Sequence, residues 1–161
     1  MVLAFCLLGL KPLAADGLQG SLQDVNPGAQ TLTMAGVVVN IIGAGLLDDF
    51  AQTIPLGAFR PGDQVIVDGT FTAPGRFTAL TVTRNSFLQD KIKAQIDTVD
   101  QEEGIIKIYG VKVKIGPETK LQDDQQQTIN WSQLLPGMTV NCLGRWSGNL
   151  SFEAQAVVLE D

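Results

Sequence analysis

The sequence contains no histidine. That absence removes the commonest general base, the commonest zinc ligand and the usual pH switch together. Cysteine is scarce as well, with Cys6 and Cys142 only. Cys6 falls in a stretch read below as a leader, so the mature chain holds one thiol and no internal disulfide. Charge is sparse and leans acidic, at 17% charged residues and a net charge of −6. Residues 16–86 carry 6 acids and 3 bases, and residues 87–161 carry 11 acids and 7 bases. Neither half has the basic patch that a phosphate backbone attracts, so nucleic-acid binding is disfavoured. There is no glycine-rich phosphate loop, nucleophile elbow or metal-ligand cluster. The longest apolar run, Val2 to Leu10, is too short to cross a bilayer, and no integral membrane segment is expected in the mature chain.

That apolar run is followed by Leu13-Ala14-Ala15-Asp16. A short apolar stretch ending in small residues reads as a secretory leader cut after Ala15. The basic segment that usually precedes such a run is missing, as in a truncated leader. The competing reading is a buried first strand or helix. A leader places the mature protein in a periplasmic or secreted bacterial compartment.

The remainder of the chain repeats itself. Gly36-Val37-Val38-Val39 returns as Gly110-Val111-Lys112-Val113, 74 positions later. Pro61-Gly62-Asp63-Gln64-Val65 returns as Pro136-Gly137-Met138-Thr139-Val140, 75 positions later. Two landmarks at nearly constant spacing indicate a duplicated unit with one inserted residue. The predicted organisation is a leader at 1–15, a first module at 16–86 and a second at 87–161.

Alternation of period two dominates both modules. Leu18-Gln19-Gly20-Ser21-Leu22 matches Ile92-Lys93-Ala94-Gln95-Ile96. The small middle residue suggests close approach of another strand. Ala35-Gly36 and Tyr109-Gly110 read as tight hairpin tips, because Gly supplies the positive φ such turns need. A longer connection ends in a Pro-Gly stop, with Phe59 and Leu134 expected to plug the end of a barrel. Gly69 and Gly144 fall late in the fourth strand, where a bulge or sharp bend is expected. Five short strands with one helical turn between the third and fourth is the order of an OB-type barrel. The expected fold is therefore all-β: two tandem five-stranded OB-like barrels, each with a short helical turn.

Several segments together resemble a bacterial family of exported domains of unknown function that occur in tandem. They are Val99-Asp100, Gly110-Val111-Lys112-Val113, Leu134-Leu135-Pro136-Gly137-Met138-Thr139-Val140-Asn141-Cys142-Leu143-Gly144, and Ala154. The first module departs from the pattern, with Phe59 for the Leu and Asn26 for the Asp. The resemblance implies a fold and a compartment but no activity, since it offers no catalytic residues to carry over.

Candidate binding residues cluster after the fourth-strand glycines. Phe71 matches Trp146 at a spacing of 75, with Arg76 and Arg145 close by in sequence. An aromatic beside an Arg can stack on a sugar or anchor a peptide. The same pair can instead pack together or seal the interface between modules, which small modules favour. Tyr109 at a hairpin tip is a further contact candidate. Lys107, Lys112 and Lys114 read as a basic strip or a solvated face. Asp48-Asp49 and Asp123-Asp124 could offer oxygens to Ca²⁺, but no ladder of about six ligands is present. Cys142 aligns with the inward Val67 and reads as an inert core thiol. Asp24 and Asp97 lack a pocket argument, and a hydrolase would need a carboxylate-only mechanism. The expected function is a non-catalytic, cofactor-free binding or assembly module of the bacterial envelope. It would engage a protein partner through loops and strand edges, with carbohydrate or small polar ligand binding on the barrel face as the alternative.

Overall fold

The computed structural model describes residues 15–160, so the expected leader lies, apart from Ala15, outside the described residues. The first half of the chain forms β1 (Asp16–Ser21), β2 (Asp24–Asn26), β3 (Thr31–Met34), β4 (Val37–Asn40), β5 (Gly45–Leu47), β6 (Gln64–Ala73) and β7 (Arg76–Arg84). The second half forms β8 (Asp90–Gln95), β9 (Thr98–Asp100), β10 (Ile105–Ile108), β11 (Val111–Asp123), β12 (Thr139–Gly148) and β13 (Ser151–Glu160). Elements recur at the spacing read from the sequence. Asp16 opens β1 and Asp90 opens β8, while Gln64 opens β6 and Thr139 opens β12. The long β11 replaces both β4 and β5, because its pairing with β13 continues past an irregularity between Ile115 and Lys120.

The expectation of two separate five-stranded barrels is overturned. All thirteen strands belong to one continuous sheet, in the order β2-β3-β4-β7-β6-β1-β8-β12-β13-β11-β10-β9, with β5 added beside β7. The halves are joined edge to edge. β1 pairs antiparallel with β8 through Gly17–Lys93, Leu18–Ile92 and Gln19–Lys91. An edge left open there would expose a row of unpaired N–H and C=O groups, and joining the two edges satisfies both. The expected helical turn is also reduced. Each long connection holds only a three-residue 3-10 turn, at Leu56–Ala58 and Trp131–Gln133, and no α-helix occurs among the described residues.

The alternation dictates which faces are buried. Leu18, Leu32, Met34, Val37, Val39, Val65 and Val67 are enclosed in the first half, and Ile92, Ile106, Ile108, Val111, Val113, Val140 and Cys142 in the second. These belong to one core cluster that also encloses Phe59 and Leu134. No polar or charged side chain is fully buried among the described residues. Cys142 lies between Ile92 and Val157 in the sheet, and burial pushes its thiol up to about 12, which keeps it protonated and inert.

Both hairpin tips have two consecutive residues at positive φ: Ala35 at 47° with Gly36 at 80°, and Tyr109 at 44° with Gly110 at 83°. That is the type I′ turn matched to strand twist. The expected bulges are present. Register shifts between Asp68 and Gly69 leave Leu80 as the extra residue, and between Leu143 and Gly144 they leave Gln155. Glycine is required at both bends, because a Cβ would lie 2.1 Å from the Thr78 carbonyl oxygen at Gly69 and 2.0 Å from that of Glu153 at Gly144.

Candidate functional site

Leu18 and Ile92 are equivalent in the two halves and face each other across the β1–β8 pair. Equivalent residues opposed in an antiparallel ladder are the pattern of a local two-fold axis, as at a self-complementary dimer interface. The contacts around this seam obey the same relation. Leu150 N–H donates to the Ala35 carbonyl at 2.7 Å, and Gly75 N–H donates to the Tyr109 carbonyl at 2.8 Å. Each half thus docks its β3–β4 or β10–β11 tip onto the last hairpin of the other.

Phe71 and Trp146 sit on opposite sides of this axis. Phe71 is only 3% exposed. It meets Phe77 edge-on at 5.0 Å, and Tyr109 of the other half stacks on it at 4.9 Å, with 3° between the ring planes. Trp146 meets Phe152 edge-on at 5.1 Å and donates its indole N–H to the Gln19 carbonyl at 2.9 Å. The indole edge rests on Gly20, where a Cβ would lie 2.9 Å from Cδ1 and Nε1. The smallness of Gly20 therefore accommodates an indole and a Met34 sulfur, not the neighbouring strand expected from sequence.

The sequence-predicted residues are thus only partly united. Phe71 and Tyr109 are in contact, with Phe71 buried and Tyr109 half-buried. Trp146 lies across the axis, partly exposed. Arg76 is exposed beside a shallow cleft with Thr31, Val38 and Thr78, and Arg145 is exposed at a register position opposite Glu153.

Two acids missed by the sequence reading anchor the bulges. The Phe71 N–H donates to Asp16 Oδ2 at 2.9 Å, and the Trp146 N–H donates to Asp90 Oδ2 at 3.0 Å. Their matched positions at the head of each half were the available signal. Burial raises the Asp16 carboxyl above its ordinary value of 3.8, while the Phe71 N–H and Lys93 pull it down. The folded state therefore favours protonated Asp16. Its contribution to stability is full below 3.8 and is lost as pH rises through the raised folded-state value. Asp16→Asn keeps an oxygen acceptor for Phe71 and is expected to flatten this part of the acid-limb slope. Urea midpoints measured between about pH 3 and 7 check this, and an unaltered slope would contradict the assignment.

The first acid of each pair has a structural role in its loop. Asp48 Oδ1 accepts the Phe50 and Gln52 N–H groups, and Asp123 Oδ1 accepts those of Gln125 and Gln127. These are Asx turns that fold each long loop back on itself. Among the described residues no group of three or more metal-ligating side chains comes together.

A surface groove of about 720 Å³ lies in the second half between the Thr98–Glu103 segment and the outer face of β10 and β11. Asp100, Glu102 and Glu103 line one side, and Lys107 and Lys112 the other. The two lysines are direct register partners, a like-charge pairing that opposes sheet formation. Neither makes an ion pair among the described residues, where the recorded pair is Lys93–Glu160 at 2.7 Å. Lys114 stands opposite Ile105, two pairs further along.

A family model described as Domain of unknown function (DUF5666) matches residues 19–83, which places a DUF5666 domain in the first half. No curated protein and no solved structure matches the chain. No helix of the described residues is long and apolar enough to cross a membrane.

Proposed function

We propose that this protein is a non-catalytic binding module, exported to the bacterial envelope, that holds an extended segment of a protein partner against β9. The observation that carries this reading is the groove beside β9. β9 ends the sheet, so its outer edge has no strand partner among the described residues, and the groove next to it presents Lys107 and Lys112, which make no ion pair among those residues, opposite three carboxylates. An added strand would satisfy the edge, and a segment with separated acidic and basic residues would satisfy the two walls. Export is supported by the leader pattern at residues 1–15, and the acidic balance argues against a nucleic-acid partner.

The test is site-specific photocrosslinking from Thr98 in bacterial envelope preparations, with and without Lys107→Glu/Lys112→Glu. The expected result is one discrete adduct, weakened at least about tenfold by charge reversal, as for loss of more than 1.4 kcal/mol of binding. Adducts that are diffuse, or equal in parent and variant, would sink the proposal.

A second reading, carbohydrate or small polar ligand binding, is favoured by one observation. Trp146 is partly exposed and borders a cavity at the seam, not the barrel face expected from sequence.

A further inference from the structure

The two sides of the local two-fold axis are not equally filled. On one side the Tyr109 ring lies flat on Phe71. On the other, the residue equivalent to Tyr109 is Ala35, and the residue equivalent to Phe71 is Trp146. The larger indole does not take up the missing phenol's space. Its edge is lodged in the room left by Gly20 and is fixed there by its hydrogen bond to the Gln19 carbonyl. A cavity of about 250 Å³ remains, bordered by Ala35, Trp146, Ser21, Gln23 and Asp90. This is below the usual range of a drug-sized pocket and suits a single ring.

We infer that this cavity is a one-ring binding slot, in which a neutral pyranose stacks on Trp146 much as Tyr109 stacks on Phe71. The inference rests on the second reading above and is independent of the β9 groove.

The rim chemistry selects the class of ring. Gln23 is held in place because its Oε1 accepts the Gly36 N–H at 2.9 Å and its Nε2 donates to Asn149 Oδ1 at 3.1 Å. One amide proton of Gln23 stays available to a ligand oxygen. Asp90 accepts the Trp146 N–H through Oδ2, which leaves Oδ1 to accept from a hydroxyl, a charge-assisted bond. Ser21 is exposed at the rim and can donate or accept. A carboxylate, an amide and a hydroxyl around one ring-sized space offer more polar contacts than a single phenol can use. A pyranose presents an apolar C–H face to the indole and several hydroxyls to the rim. The carboxylate on the rim disfavours an acidic sugar.

The test uses the whole chain carrying Trp131→Phe, so that Trp146 is the only tryptophan and reports directly. Methyl pyranosides of glucose, galactose and N-acetylglucosamine are titrated at millimolar concentration, with N-acetyltyrosine amide as the aromatic alternative. Ala35→Tyr refills the slot from within, at a tip where Tyr109 already shows that tyrosine is accommodated. The expected result is a saturable fluorescence change with at least one pyranoside, reduced at least tenfold in apparent affinity by Ala35→Tyr. Circular dichroism and a parallel Asp90→Asn variant, which retains an acceptor for the Trp146 N–H, separate loss of the slot from loss of the fold. Saturable sugar binding that persists in Ala35→Tyr would overturn the slot while leaving the second reading intact. Absence of any sugar-dependent change would overturn both. Binding of the tyrosine amide alone would overturn the pyranose assignment in favour of an aromatic side chain.

Discussion

Gly144→Ala is expected to lower the unfolding free energy by about 3 kcal/mol, at the upper end of overpacking costs. The added methyl would stand 2.0 Å from the Glu153 carbonyl oxygen and 3.0 Å from the Gln155 backbone nitrogen. Neither neighbour is a flexible side-chain tip that can swing away. Relief requires the bulge to shift, and the bulge is tied on its far side by the Trp146 N–H bond to Asp90. The damage therefore spreads from a local clash to the seam. Gly148, four residues on in the same strand, has no atom within 4 Å of an added Cβ, so Gly148→Ala is the control. Its effect should stay within about 0.5 kcal/mol. Urea unfolding followed by circular dichroism reads both, and equal midpoints for the two variants would refute the account of the bulge.

Phe71→Ala should cost about 3–5 kcal/mol, the range for removing a buried aromatic. Phe71 joins the halves through Tyr109 as well as filling the first half's core through Phe77. That is a large share of the stability of a domain this size. Because the halves share one sheet and one core cluster, the parent should unfold in a single transition, and the variant in a single weaker one. Two resolved transitions in the parent would show that the halves melt independently. A double-mutant cycle with Tyr109→Ala isolates the stacking contact, expected at about 0.5–1.5 kcal/mol. Tyr109 has a positive φ of 44°, an unfavourable conformation for a residue with a side chain. Alanine keeps the Cβ that makes this conformation costly, so Tyr109→Ala removes the ring while the backbone cost stays the same in both arms of the cycle.

The duplicated spacing was readable because turns and core positions are local chemistry. A glycine at a hairpin tip, a Pro-Gly stop and alternating valines announce themselves within a few residues. So did the two bulge glycines, which interrupt otherwise alternating strands. Asp16 and Asp90 escaped notice because each accepts from a residue more than fifty positions away. The Asx turns at Asp48 and Asp123 were legible in principle, since their acceptor contacts reach only two and four residues ahead. Paired acids at matched positions drew attention to cation binding instead.

By itself the sequence determined the all-β character, the repeated order of elements and the face of each strand that turns inward, because period-two hydrophobicity specifies a face. It did not determine which edge each strand would find. Edge pairing depends on backbone groups that every residue carries, so joining β1 to β8, and the two halves into one sheet, was decided only when the chain folded. The same holds at the seam. Ala35 and Tyr109 are visibly unequal in the sequence. Only packing around the local two-fold axis makes one position a filled stack and its counterpart an open slot beside Trp146.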